Sequence, residues 1–527
     1  MFPVNKTRRD TRKVVYGPPL KQLRTFLRPV VGSSSSHGSS RSRSVQLTDD
    51  LIEYIFTLLP IKAAVKAGLV ARRFRDSWRL TRRIHFEKEL AEGYDNDKLE
   101  TILNHVFESH RGDEIKSFRL HFDPNAHELH LPEWVRKCIQ KRVQELDLDI
   151  SQPKQEPSFP LPPRFLDVES LKVLKLSYSV FQLPPDIKGL SLLTTLVLRR
   201  VDITPKIIQT ILDRCALLET LDMGQCHGFR LLRIHAQKQT RLRVLKVGNC
   251  RAEVRVIEID APSVGSLYYS GSISNFRVIS QSLLFLKEAM LYFKPLKGIT
   301  NPLQVERLAS SISNNVELLT ITSTFLEGLS PRIVDGVLRE KQVSFRNLKE
   351  LQLIMENPSY CNAGDIASFL KNCPRLEKLF IDVSINYEQI IYIYLIFMNK
   401  LFVMMMLLQA DEFTFDGGAF YELHQKPLLD KHSALFKHLK LIKIMGFRFQ
   451  PCHLDLTRFL LGKAMSLEYM FLLLPKSFRF SRALSQDMDF FTDAFLSWKL
   501  SPDAEISIGF AWEDKSFVYP KQSRSWY

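Results

Sequence analysis

LTTLVLRRVDITPKIIQTILDRCALLETLDMGQC, residues 193–226, decides the fold. Leu193, Leu196 and Leu198 follow the spacing of a strand with one buried side. A helical or irregular return over 204–219 brings the chain back to Leu218, Leu221 and Met223, where the pattern starts again 25 residues on. A strand, a return and a second strand in the same direction make one unit of a stacked array, and no single unit can bury its own apolar face.

The pattern L-x-x-L-x-L spreads in both directions from this stretch. Upstream it appears at Val143/Leu146/Leu148 and Leu171/Leu174/Leu176. Downstream it appears at Leu242/Leu245/Val247, Val254/Ile257/Ile259, Leu348/Leu351/Leu353, Leu376/Leu379/Ile381, Leu439/Ile442/Ile444 and Leu467/Met470/Leu472. The middle positions 146, 174, 196, 221 and 245 are 28, 22, 25 and 24 apart, within the range of leucine-rich repeats. Cys226 and Cys250 fall three residues after their strands and are themselves 24 apart. Residues between the buried positions should face outward on the sheet: Asp147, Lys175, Val197, Asp222, Lys246, Glu258, Gln352, Phe380 and Lys443. Their mixture of both charges and two apolar side chains suits a protein surface better than a polyanion, and it equally fits plain solvated strand positions.

Residues 47–86, LTDDLIEYIFTLLPIKAAVKAGLVARRFRDSWRLTRRIHF, change period. Leu51, Ile52, Ile55, Phe56 and Leu59 lie on one helix face, with Thr48 or Asp49 placed to cap it and Pro60 to end it. A second short helical pattern runs through Ile61, Ala64, Val65 and Leu69. A third helix is expected through Val70, Phe74 and Trp78 at i, i+4 and i+8, with Arg72, Arg73, Arg75 and Arg79 on its other side. Forty residues cannot bury three apolar faces unaided, so a partner or the next domain must cover them. An amphipathic helical cap on the array would look similar.

These residues resemble an F-box. The matching positions are Leu47, Asp49, Asp50, Leu51, Ile52, Ile55, Leu59, Pro60, Leu69, Val70, Arg72, Arg73, Phe74 and Trp78; Thr48 replaces the opening Pro, and Gly68 stands where Ser or Thr is usual. Residues 438–476 are similar to the FBD segment, with a strand, Gly446-Phe447, a helix through Leu460, then Leu467-Glu468-Tyr469-Met470. Read by periodicity alone, that stretch is the last one or two repeats. The order F-box, irregular repeats, FBD-like segment looks like the plant F-box/leucine-rich-repeat (FBD-type) family.

That resemblance implies a non-catalytic receptor subunit of an SCF-type (Skp–cullin–F-box) ubiquitin ligase. Its Skp-type adaptor would bridge to cullin and RING subunits, and the repeats would hold an unknown protein substrate. Leu47, Leu51, Ile52, Ile55, Phe56, Leu59, Pro60, Leu69, Val70 and Trp78 are the adaptor-binding candidates, Trp78 foremost, although some of them must form the motif's own core. The rival reading is a leucine-rich scaffold without ligase association.

The expected fold class is therefore α/β, an N-terminal three-helix F-box followed by an irregular leucine-rich-repeat solenoid. The expected organisation is a basic Ser/Arg-rich disordered tail at 1–46, the F-box at 47–86, a helical connector at 87–142 and repeats at 143–384. An apolar insertion at 385–410, terminal repeats with the FBD-like segment at 411–476, and a C-terminal region at 477–527 complete it.

Residues 385–410, INYEQIIYIYLIFMNKLFVMMMLLQA, interrupt the repeat with a nearly continuous apolar run. Its length permits a membrane span, but Asn399 and Lys400 lie in its middle, and a central Lys costs about 2.5–3.5 kcal/mol to insert. A membrane span would also cut the array in two. An insertion, such as an intron translated in frame, and a buried extra helix are the competing readings.

The formal net charge of +16 is unevenly spread. Ten Lys/Arg against Asp10 give residues 1–45 a charge of +9, leaving +7 for the other 482 residues. The body is thus only mildly basic, and no specific nucleic acid is expected. The tail reads as solvated chain, a nuclear signal around 6–13, a phosphate-binding arm or a transit peptide.

Seven cysteines without C-x-x-C make neither a disulfide framework nor a zinc site, and no apolar secretory signal opens the chain. Nucleus or cytoplasm is the expected location. No phosphate loop, dinucleotide loop, nucleophile elbow or H-E-x-x-H motif occurs, and His121, His127 and His130 are more easily read as a solvated loop than as metal ligands. No catalytic residue or cofactor is expected.

Overall fold

The computed structural model describes residues 48–86, 96–121, 131–150, 159–161, 168–184, 189–250, 254–273, 276–279, 283–293, 302–330, 332–334, 337–339, 343–355, 363–383, 436–475, 488–514, 516 and 518–522. Two units divide the chain, Met1–Leu51 and Ile52–Tyr527. The described part of the first is Thr48–Leu51, where the Leu51 N–H donates to Thr48 Oγ1 at 3.4 Å and so caps a helix start.

The described part of the second unit is built on one parallel sheet in which order along the chain equals order in space. Its strands are β1 (Arg83–Phe86), β2 (Ser117–His121), β3 (Glu145–Asp149), β4 (Val173–Ser177), β5 (Thr195–Arg199), β6 (Thr220–Gly224), β7 (Val244–Gly248), β8 (Ser266–Gly271), β9 (Glu288–Phe293), β10 (Leu318–Thr322), β11 (Glu350–Ile354), β12 (Lys378–Asp382), β13 (Leu441–Met445), β14 (Tyr469–Leu474) and β15 (Glu505–Phe510). Register is kept from strand to strand: Leu146 pairs with Leu174, Leu174 with Leu196, Leu196 with Leu221 and Leu221 with Leu245. Each of these leucines is fully buried, and a buried Leu contributes about 2 kcal/mol relative to exposure. The leucine column is thus the spine of the fold.

The returns form the outer layer. They include the helices Pro205–Arg214, Pro302–Ile312, Ala363–Lys371 and Pro451–Lys463, and a second, three-stranded parallel sheet of Leu231–His235, Val256–Asp260 and Phe276–Val278. The Val254/Ile257/Ile259 pattern, expected as a strand of the main sheet, belongs to this second sheet instead. Alternation of buried residues has the same period on either side of a solenoid, so it cannot say which layer a strand joins. The main-sheet strand of that repeat is β8, which buries Leu267 and Tyr269.

Rungs that mix leucine or isoleucine with aromatic and small residues were missed by the pattern. β1 buries Ile84 and Phe86, β2 Phe118 and Leu120, and β9 Ala289 and Phe293. Around the turn from the second sheet to the outer helices, Tyr269 stacks on Phe276 at 4.1 Å and Phe293 on Phe325 at 6.0 Å. Aromatic rings there fill the volume that leucines fill elsewhere. The sheet therefore extends through the stretch 87–142, expected as a helical connector, and takes in β15 from 477–527.

Successive strands end in a left-handed residue. Tyr178, Arg200, Gln225 and Asn249 have φ of 59°, 53°, 55° and 51°. Their N–H groups continue the ladder to the next rung, Arg200 to the Gly224 carbonyl at 2.8 Å and Gln225 to that of Gly248 at 2.8 Å. The kink turns the chain off the sheet without losing a hydrogen bond, at a cost of about 1–2 kcal/mol per left-handed residue.

β12 pairs directly with β13, Leu379 opposite Ile442. The expected insertion 385–410 lies outside the described residues. No helix among the described residues is long and apolar enough to cross a membrane.

Candidate protein-binding surfaces

The first candidate surface is the helical segment before β1. α1 (Asp49–Leu58) carries Asp49 and Asp50 in its first turn, where the helix dipole favours acid. α2 (Ile61–Gly68) follows directly after Pro60. The third helix expected through Val70, Phe74 and Trp78 does not form. Two 3-10 turns, Arg72–Phe74 and Ser77–Leu80, take its place. Gly68 helps explain the tight packing: a Cβ there would stand 3.1 Å from the Phe74 carbonyl oxygen and 3.3 Å from that of Arg75.

Within this segment the structure sorts side chains that sequence could not. Ile52 and Phe56 are buried, and Phe56 faces Phe74 with ring centroids 6.0 Å apart. Leu51, Ile55, Leu69 and Val70 are 44%, 37%, 83% and 63% exposed, and Tyr54, Leu58 and Val65 are exposed too. Leu59 and Pro60 are half-buried, the Leu59 carbonyl accepting the Thr81 hydroxyl. Trp78 packs against the solenoid core and lies 6.1 Å from the His105 ring. Leu47 lies outside the described residues. Lys62, Lys66, Arg72 and Arg75 are exposed in the same segment.

The segment is tied to the solenoid by polar contacts. His110 Nε2 meets the Thr81 carbonyl oxygen at 2.7 Å, and Lys141 Nζ donates to the carbonyls of His110 and Gly112 at 3.1 and 2.9 Å. Burial lowers the pKa of His110, favouring its neutral form.

The second candidate surface is the outward row of the main sheet. Register aligns His85, Arg119, Asp147, Lys175, Val197, Asp222, Lys246, Tyr268, Met290, Thr320, Gln352, Phe380, Lys443, Phe471 and Ser507, one per strand. Of the predicted face residues, Asp147, Lys175, Val197, Asp222, Lys246, Gln352, Phe380 and Lys443 are on this row. Glu258 is not. It lies on the second sheet, where its carboxylate accepts from Arg233 Nε at 2.9 Å, for the reason already given for its strand.

The row has two halves. Along β3, β4 and β5 burial alternates strictly, and Asp147, Lys175 and Val197 remain half-open. Here Lys175 Nζ reaches Glu145 at 3.2 Å and Asp147 at 3.7 Å, and Arg119 reaches Glu145 at 3.0 Å. Burial raises the Asp147 pKa, partly offset by Lys175 and Arg119. Arg199 donates to both oxygens of Asp222 at 2.6 Å, holding that carboxylate inside the protein's own fork.

Along β10 and β11 every residue is buried, and Gln352, Phe380 and Lys443, expected to face solvent, are 4%, 0% and 0% exposed. Lys443 is covered by the chain's own C-terminal strap, Asp514–Gln522. It donates to Asp514 Oδ2 at 2.5 Å, Ser516 Oγ at 2.9 Å and the Val518 carbonyl at 2.6 Å. The Tyr519 ring lies 4.5 Å from its nitrogen. Further up the sheet the Lys521 N–H donates to Glu350 Oε1 at 2.9 Å. The sequence held no signal for this strap, because its contacts span 71 to 171 residues and its own residues follow no repeat pattern.

Four of the described cysteines are core residues. Cys138, Cys215, Cys226 and Cys373 are buried, and burial raises their thiols, Cys215 to about 11 and Cys226 to about 12. His121 meets Asp149 at 3.0 Å, while His127 and His130 lie outside the described residues. Among the described residues no group of His, Cys, Asp and Glu is placed to hold a metal ion.

Comparison with known proteins agrees with this architecture. The family model described as "At1g61320/AtMIF1, LRR domain" matches residues 106–411. In Arabidopsis thaliana, an FBD-associated F-box protein, At1g61330, is 30% identical over 441 residues, 82% of this chain and 91% of the relative. The chain belongs to the plant FBD-associated F-box/leucine-rich-repeat family. A second member, the FBD-associated F-box protein At1g61320, is 29% identical over 469 residues, 87% of this chain and 94% of its own length. The F-box/LRR-repeat protein At3g03360 is 26% identical over 358 residues, 63% of this chain and 69% of the relative. Gly446, in the segment expected to be FBD-like, takes φ of 79° between β13 and the helix Pro451–Lys463. A side chain is disfavoured there.

Proposed function

We propose that this chain is the substrate-receptor subunit of an SCF-type ubiquitin ligase, working in the nucleus or cytoplasm. The observation that carries the reading is the unequal burial within α1 and the turn after α2. Ile52 and Phe56 are spent on the motif's own core, while Leu51, Ile55, Leu69 and Val70 stay open to solvent. Large aliphatic side chains left exposed in a short helical segment, on a chain whose relatives are named F-box proteins, suit a Skp-type adaptor.

Leu59 and Pro60 would contribute at the edge of that contact. Ile52 and Phe56 would act through the fold, and so would Trp78. The exposed Lys62, Lys66, Arg72 and Arg75 would favour an acidic partner surface.

The sheet face would then hold a protein substrate, with Asp147, Lys175, Val197 and Lys246 on its open half. The chain itself would supply no chemistry. Ubiquitin would be delivered by another subunit, and the contribution here would be proximity.

The test is a pull-down of the full chain by purified Skp-type adaptor. Wild type is expected to be retained, and Leu51→Ala/Ile55→Ala/Leu69→Ala to be lost while keeping its circular dichroism and melting temperature. Failure to retain folded wild type would leave a leucine-rich scaffold outside any ligase.

A further inference from the structure

Lys443 is the most constrained charge on the sheet face. Its side chain is 0% exposed and reaches three acceptors, the number of N–H bonds an ammonium can donate. All three belong to one stretch of five residues, Asp514 to Val518, and none to the strands beside it. The hydrogen bonds of the ammonium thus go to residues far along the chain, while the neighbouring strand offers it the Phe471 ring at 6.0 Å.

The strap is exposed in part. Tyr519 is 60% exposed and residues 511–513 and Lys521 are open to solvent, while the Asp514 side chain and Gln522 are buried. Within the strap the Ser516 N–H and hydroxyl both donate to Asp514 Oδ1. Burial would raise the Asp514 pKa, but hydrogen bonds from Lys443 and Ser516 outweigh it and hold the carboxyl below its usual range. Beside the strap, a cleft of about 240 Å³ opens between Lys521 and the rung residues Lys287, Glu317, Lys349 and Glu377.

We propose that the Lys443 region of the sheet face is a peptide-recognition site whose resident occupant is the chain's own strap, and that the partner it takes is an extended segment of another protein presenting a carboxylate, a hydroxyl two residues on and an aromatic ring three residues beyond that. The strap's Asp514, Ser516 and Tyr519 are the pattern of that ligand. A partner segment must supply the same acceptors, because a buried ammonium left without them costs far more than a lost surface contact. An extended peptide can meet this demand at low cost, since it brings backbone carbonyls as well as side chains. The proposal deepens the reading of the sheet face as the substrate surface, and its test contains no adaptor, so failure of adaptor binding leaves it untouched.

The probe is a fluorescein-labelled peptide of residues 511–522, AWEDKSFVYPKQ, titrated by fluorescence polarisation into the full chain. Asp514→Ala/Ser516→Ala/Tyr519→Ala frees the site while leaving Lys443 in place. This variant is expected to bind the peptide at least tenfold tighter than wild type, and adding Lys443→Met should cancel the gain. Equal binding to wild type and variant, or a gain that survives Lys443→Met, overturns the proposal.

Hydrogen exchange on wild type decides the matter even should the variant not fold. The Ser516, Val518 and Lys521 amides are expected to exchange at least tenfold faster than those of Lys443 and Phe471. Exchange of both sets at one common rate would make the strap a permanent part of the fold and overturn the proposal.

Discussion

A side chain on Gly68 would come within 3.1 Å of the Phe74 carbonyl oxygen. The atom it would meet is backbone, on a turn that also carries the Phe56–Phe74 ring contact. Sequence comparison with the F-box pattern makes Gly68 a weak point, because Ser or Thr is usual there. The geometry makes it the residue that fits this chain's tighter turn without displacing the backbone at Phe74 and Arg75. Gly68→Ser is therefore expected to destabilise by about 1 kcal/mol despite the better helix propensity of serine. Denaturant melts of the full chain check this, and a gain in stability would refute it.

Neighbouring residues of α1 should separate fold from binding. Phe56→Ala is expected to cost about 3–5 kcal/mol, as for other buried aromatics. Ile55→Ala, on an exposed site, should change stability by about 0.5 kcal/mol or less and show its effect only in adaptor retention. Melting and pull-down on the same two variants distinguish the roles.

Acid should loosen the FBD-like end through His453. This ring is 4% exposed, accepts the Arg448 N–H at Nδ1 at 2.9 Å, and has its pKa lowered by burial and then by Arg448 from 6.5 to about 4. Between those two values the unfolded chain takes up the proton first. The contribution of the neutral ring is thus full above pH 6.5 and lost as the pH falls toward 4, in total about 3 kcal/mol. His453→Asn, which keeps an acceptor for Arg448 but cannot titrate, should flatten the melting-temperature profile over that window.

Arg199 and Asp222 should couple. The carboxylate side chain is 9% exposed and the guanidinium 36%, so solvent screens part of the attraction. A double-mutant cycle with Arg199→Ala and Asp222→Ala is expected to give about 1–2 kcal/mol of coupling in stability. Additive effects would show the fork contributes nothing and would return Asp222 to the pool of residues available to a partner.

The pairing of Leu379 with Ile442 also makes a prediction about residues 385–410. Strands β12 and β13 pair directly, and loop closure depends only weakly on length. Deleting 385–410 should therefore shift stability by no more than about 1 kcal/mol. A large loss would mean those residues pack into the fold.

Much of the fold was legible in sequence because stacking repeats reports locally. Leu146, Leu174, Leu196, Leu221 and Leu245 each recur one rung apart, and the parallel register follows from burying that column. The chain's family could be read the same way, from Asp49, Leu51, Pro60 and Phe74 at one end and Gly446 at the other. What stayed hidden was whatever depends on residues far apart in the chain. Which of Ile52 and Ile55 is buried depends on how the segment after α2 folds back, and the alternation of Ile257 and Ile259 is the same in either sheet. The burial of Lys443 was also beyond reach, since its partners lie 71 to 75 residues downstream with no repeat to announce them. Period fixes which side of a strand is apolar; only the assembled chain decides what comes to rest against the other side.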